Sequence, residues 1–101
     1  MSLKLTTKSQ AGTLTVTLSG ELNTQTAPEL SAVFAEKLSE TDTLYLDFAG
    51  CDFVSSAGLR VLLNTYKSMK AKNGTMNFMN IGPNFSEVLN ITGLDKVFGV
   101  N

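Results

Sequence analysis

The sequence predicts an α/β fold: a mixed sheet of four or five strands, begun by an antiparallel N-terminal hairpin and continued by parallel strands, with helices packed against it. Three observations carry this. Leu14, Val16 and Leu18 alternate with Thr13, Thr15 and Thr17, the period of a strand with one apolar face. Leu30, Val33, Phe34 and Leu38, and later Leu59, Leu62, Leu63, Tyr66 and Met69, recur at helical spacing. Between these helices lies one apolar strand, Thr43 to Phe48, and a strand reached and left through helices belongs to a parallel arrangement with crossovers.

In chain order, Leu3–Lys8 and Thr13–Ser19 form the hairpin, joined at Gln10, Ala11 and Gly12. Glu21 to Thr26 is polar and loop-like. Thr26-Ala27-Pro28-Glu29 has the form of a capping box, and Pro28 is harmless in a first turn, so a helix is expected from Ala27 to Ser39. The central strand places Leu44, Leu46 and Phe48 on one face, Tyr45 and Asp47 on the other, and Ala49-Gly50 closes it. A second helix is expected from Ala57 to Ala71. Asn73-Gly74 breaks it, Thr75–Asn80 reads as a strand, and Gly82-Pro83-Asn84 opens a short helix that Gly93 stops. Val97, Phe98 and Val100 suggest a last short strand.

With 101 residues there is room for one domain, expected over 1–101. Hydrophobic residues make up 43% and charged residues 17%, the balance of an ordinary globular protein. Eight basic residues against nine acidic give a net charge of −1, so no electrostatic grip on nucleic acid is expected. The basic residues Arg60, Lys67, Lys70 and Lys72 share one helix but spread around it, the pattern of a solvated face. Lone Cys51 cannot make an internal disulfide, the start MSLKLTTKSQ lacks the apolar stretch of a signal peptide, and no apolar run is long enough to span a bilayer. The expectation is a cytoplasmic protein without membrane insertion.

The chain has no histidine. Ser–His nucleophile arrangements therefore cannot be built, and no serine is followed by lysine at the third position. Asp42, Asp47 and Asp52 match no calcium loop, transition-metal ligands are scarce, and no phosphate-binding glycine loop is present. No catalysis, metal or cofactor is expected. The remaining feature is the serine pair before the second helix. Ser55 and Ser56 stand where an N-cap belongs, and most such serines are caps and nothing more. The same place suits a phosphate, because unpaired N–H groups and the helix dipole favour an anion. Gly58 in the first turn would let another molecule approach the backbone, and helical phase turns Arg60, Val61 and Asn64 outward beside the serines.

Three stretches then carry a resemblance: Gly20-Glu21-Leu22-Asn23, then Leu46-Asp47-Phe48 leading to Asp52-Phe53-Val54-Ser55-Ser56-Ala57-Gly58-Leu59, and Thr92-Gly93-Leu94-Asp95-Lys96-Val97-Phe98. In this order they resemble the STAS domain, shared by bacterial anti-sigma factor antagonists and the cytosolic parts of sulphate transporters. The resemblance covers nearly the whole chain. It implies a binding switch: the unphosphorylated antagonist binds a partner that is both anti-sigma factor and ATP-dependent serine kinase and so frees a sigma factor, whereas the phosphorylated form does not bind. Lining up the glycine and leucine puts the phosphoacceptor on Ser56, with Ser55 the lesser choice. The implied partner face is Asn23, Thr24, Ser55, Gly58, Arg60, Val61 and Asn64. Well-studied members have aspartate where this chain has Asn23 and Ser55, and both changes remove a negative charge from that face. A final helix common in the family has no counterpart after Val100. Such variants also resemble STAS subunits of lipid-transport complexes, so the alternative is a constitutive docking subunit.

Overall fold

A computed structural model describes residues 3–100. The alternation read in the sequence builds a hairpin of β1 (Leu3–Gln10) and β2 (Thr13–Leu22), antiparallel from Leu3 opposite Gly20 to Gln10 opposite Thr13. Helix α1 (Ala27–Lys37), followed by a 3-10 turn over Leu38–Glu40, crosses to β3 (Thr43–Val54), which pairs parallel with β2. Helix α2 (Ser56–Ala71) crosses to β4 (Thr75–Met79), parallel to β3. The sheet order is β1-β2-β3-β4, and α3 (Pro83–Thr92) and α4 (Leu94–Phe98) close the chain.

Leu14, Val16, Leu18, Leu44, Leu46 and Phe48 are all at most 1% exposed, as the period of two requires, and they join Leu30, Phe34, Leu62, Phe85 and Leu89 of the helices in one core. Of the apolar stripe expected on α2, Leu62 and Met69 are buried while Leu59, Leu63 and Tyr66 are half-buried; Thr65 fills the stripe and donates to the Val61 carbonyl at 2.8 Å.

Two expectations fail. The central strand does not close at Gly50 but runs on to Val54. Opposite β2 its register slips twice, with Thr17 facing Asp47, Ser19 facing Gly50 and Glu21 facing Phe53, so β3 carries an extra residue in each interval. Each bulge resets which side chain points inward, giving buried Phe48, Cys51 and Val54, a spacing that no period of two detects. Nor is Val97–Val100 a fifth strand. Gly93 adopts φ +76°, the left-handed conformation that ends α3, and the chain turns into the short α4. Leu94 and Phe98, four residues apart on one helical face, reach the core, and Val97 is exposed.

Candidate functional site

The parallel pairing of Leu22 with Val54 ends β2 and β3 side by side, so the segments that follow them meet at one end of the sheet. The Ser55 N–H donates to the Leu22 carbonyl at 2.8 Å, tying the start of α2 to the turn after β2. Asn23 organises that turn. Its Oδ1 accepts from the N–H groups of Gln25 at 2.9 Å and Thr26 at 3.0 Å, and its carbonyl accepts from Ala27 at 2.8 Å. The expected Thr26–Glu29 capping box does not form. Thr26, 2% exposed, has a helical backbone, and its hydroxyl donates to the Glu21 carbonyl at 2.7 Å and accepts from the Asn23 N–H at 2.8 Å. Asn23 therefore does locally what a capping residue does, with Thr26 as its internal brace.

The serine pair divides its work. Helix α2 begins at Ser56, one residue earlier than expected, and the cap is Ser55: its backbone is extended and its Oγ accepts from the Gly58 N–H at 3.3 Å. The Ser55 carbonyl accepts the first intrahelical bond, from Leu59 at 2.9 Å. Ser56 is the first helical residue, exposed, with its hydroxyl free of the capping duty that the sequence reading allowed it. Arg60, one turn on, and Asn64, two turns on, are exposed as well, and Thr24 is exposed in the facing turn. Asn23 and Ser55 both use a side-chain oxygen to hold backbone N–H groups, a task an aspartate oxygen performs equally. The lost charges at these two positions leave the local backbone satisfied.

Two members of the expected face sit elsewhere. Gly58 is buried, and a Cβ there would lie 2.7 Å from Leu22 Cγ and 3.1 Å from Val54 Cγ1. Its missing side chain admits the chain's own strand ends, leaving no room for an outside molecule. Val61 is half-buried rather than outward, packed against the core and lining, with Phe34, Leu38 and Thr65, an open groove of about 360 Å³ between α1 and α2.

Sequence reading missed two residues here. Asp52, noted in the sequence only as matching no calcium loop, caps α3 from outside: Oδ1 accepts from the Phe85 N–H at 3.0 Å, and Oδ2 accepts from the Asn84 N–H at 3.3 Å and side-chain amide at 2.9 Å. Gly82 makes this possible, since a Cβ there would fall 2.4 Å from Asp52 Oδ1. Phe53 is 51% exposed at the end of β3, beside the serine turn. No local pattern marks either, because both lie in the bulged stretch where alternation is interrupted.

The Phe85 N–H first, with the Asn84 groups, holds the Asp52 carboxyl below its ordinary value, and the Asn80 amide with the Ala49 N–H does the same for Asp47. Burial pushes the Cys51 thiol up. A lowered carboxyl pKa means the unfolded chain binds protons more readily, so stability is fully present above about pH 4 and falls as the pH drops through the folded value. For Asp52→Asn the loss in urea midpoint below pH 4 is expected to be shallower than in the unmodified protein, and the Asn84 and Phe85 amides should exchange faster with solvent at neutral pH. An unchanged acid slope would show that Asp52 does not hold α3.

Residues 4–101 match the STAS domain family. The chain belongs to that family. This STAS domain is 32% identical over 99 residues to "Putative anti-sigma factor antagonist BtrV" of Bordetella bronchiseptica, an alignment covering 97% of the chain and 85% of the relative. It is 28% identical to an anti-sigma F factor antagonist of Paenibacillus polymyxa, over 99% of the chain and 87% of that protein. The crystal structure of an anti-sigma factor antagonist from Mycobacterium paratuberculosis superposes with a TM-score of 0.85 at 27% identity, covering 97% of the chain and 84% of that structure. No helix among the described residues is long and apolar enough to cross a membrane, and no three His, Cys, Asp or Glu side chains among them gather as a metal site would need.

Proposed function

We propose that this STAS domain is an anti-sigma factor antagonist working as a phosphorylation-controlled binding switch, with Ser56 as the phosphoacceptor. The observation that carries the reading is the separation of roles in the serine pair: Ser55 holds the helix start, so Ser56 can be modified without releasing the cap. The names of the relatives support the antagonist role. In its unphosphorylated state the domain docks through Asn23, Thr24, Ser55, Arg60 and Asn64 on an anti-sigma factor that is also a serine kinase, and so frees a sigma factor; buried Gly58 contributes by packing only. The reading implies a cytoplasmic protein.

In the transfer step the Ser56 hydroxyl oxygen attacks the γ-phosphorus of ATP bound to the kinase. The new O–P bond forms as the bond to ADP breaks, and the hydroxyl proton passes to the kinase's base. The product carries about −1.5 to −2 charge, which a helix N-terminus tolerates and a desolvated docking surface does not.

Incubation with the cognate kinase and ATP is expected to place one phosphate on Ser56, mapped by mass spectrometry of the intact protein and its peptides. Ser56→Asp should weaken partner binding on the order of tenfold or more while leaving the circular dichroism spectrum unchanged. Ser56→Ala should bind and accept no phosphate. Phosphate found on another residue, or equal binding by Ser56→Asp, would remove the switch; co-purification with a larger assembly regardless of Ser56 would point to the docking-subunit alternative.

A further inference from the structure

Arg60 is the single arginine of the chain and the only basic residue between Lys37 and Lys67. It lies four residues after Ser56 on α2, so the two side chains stand one above the other on the same helical face, and both are exposed. Arg60 has no ion-pair partner among the described residues, where the one salt bridge joins Lys37 to Glu36 and the one cation–π contact joins Lys70 to Tyr66. Two carboxylates close to the serine turn in the fold have partners of their own: Asp52 holds the start of α3, and Glu21 accepts from the Asn23 side-chain amide at 3.5 Å. An unpaired guanidinium one turn from an exposed serine is free to meet an anion that the resting fold does not supply.

We infer that Arg60 is an internal clamp for phosphorylated Ser56: it is offered to the partner while Ser56 is bare and is captured by the phosphate once Ser56 is modified. This rests on the switch reading and gives it a second component. A guanidinium presents parallel N–H donors that match phosphate oxygens two at a time, and the spacing of one turn lets it fold back along the helix. Phosphorylation then changes two features of the docking face at once, adding a dianion and withdrawing the only cation. Without Arg60, the phosphate would still repel a partner, but its charge would have no cation on its own helical face within one turn.

The test installs phosphoserine at position 56 by genetic incorporation, so that no kinase is needed, in the full chain and in Arg60→Ala, Arg60→Lys and Lys67→Ala backgrounds. Lys67 is a matched control: it lies on the same helical face but about 16 Å along the axis from position 56, well beyond the screening length at physiological salt. Phosphorus NMR titration reads the second phosphate ionisation, which is about 6 for an unperturbed phosphoserine. The value is expected to be depressed in the parent, to rise by roughly half a unit or more in Arg60→Ala, to be partly restored in Arg60→Lys and to stay put in Lys67→Ala. The Arg60 side-chain N–H resonance should shift on phosphorylation. Equal titration in the parent and Arg60→Ala would overturn the clamp and leave the switch standing, since the switch is judged by partner binding. Unchanged partner binding by the phosphorylated parent would remove the switch, whatever the titration shows.

Discussion

Phe48→Ala is expected to cost the domain about 3–5 kcal/mol, enough to threaten folding in a protein of this size. Phe48 is 1% exposed on the inner face of β3, and its ring meets Phe78 of β4 at 5.8 Å, stacked, and Phe85 of α3 at 4.7 Å, tilted. Phe78 in turn meets Phe98 of α4 at 4.8 Å, and Phe98 meets Tyr66 of α2 edge-on at 5.4 Å. One ring thus anchors a chain of aromatic contacts joining the sheet to three helices. Removing it leaves a cavity at the junction where the last third of the chain is attached. In urea unfolding the midpoint should fall steeply, and a melting temperature lowered by roughly 4–8 °C for each kcal/mol lost is the corresponding thermal result. A loss below about 1 kcal/mol would mean the cluster closes around the gap and is not the keystone described.

Gly58→Val is expected to destabilise by about 3 kcal/mol, against the direction of helix propensity, which alone would favour replacing glycine. The first added carbon would already lie 2.7 Å from Leu22 Cγ, 3.0 Å from Leu22 Cδ2 and 3.1 Å from Val54 Cγ1. Leu22 itself is fully buried, and the backbone beside it is fixed by the Ser55–Leu22 hydrogen bond, so the strand ends cannot withdraw freely. The added methyls must push α2 away from the carboxyl ends of β2 and β3. Because the same contact sets the position of Ser55 and Ser56, partner binding should weaken in step with stability. A variant that lost binding at unchanged stability would instead make Gly58 a direct contact, as the sequence reading had it.

The hairpin, the first two helices and the parallel core were legible because each is written in a run of one period: Leu14, Val16 and Leu18 for a strand, Leu62 and Met69 for a helix face. Where two conformations met, the reading failed. Phe48, Cys51 and Val54 point inward across two bulges, and Leu94 and Phe98 form a helical pair within a stretch whose Val97, Phe98 and Val100 suggested a strand. Of the candidate site, the helix start was legible from the serines before an apolar helix. The tasks of its members were not, since Asn23 takes the Thr26 N–H that the Thr26–Glu29 box was expected to serve, and Thr26 braces the turn instead.

By itself, then, the sequence determined the α/β class, the order of its main elements, and the turn before α2 as the place to look, because periodicity and cap residues act over one or two turns of chain. Only the tertiary structure decided that Ser55 is the cap and Ser56 the free hydroxyl, that Gly58 faces Leu22 rather than a partner, and that Asp52 reaches across to α3. Each of these depends on pairing Leu22 with Val54 or bringing Asp52 to Asn84, contacts between segments distant in the chain, where no local pattern carries the information.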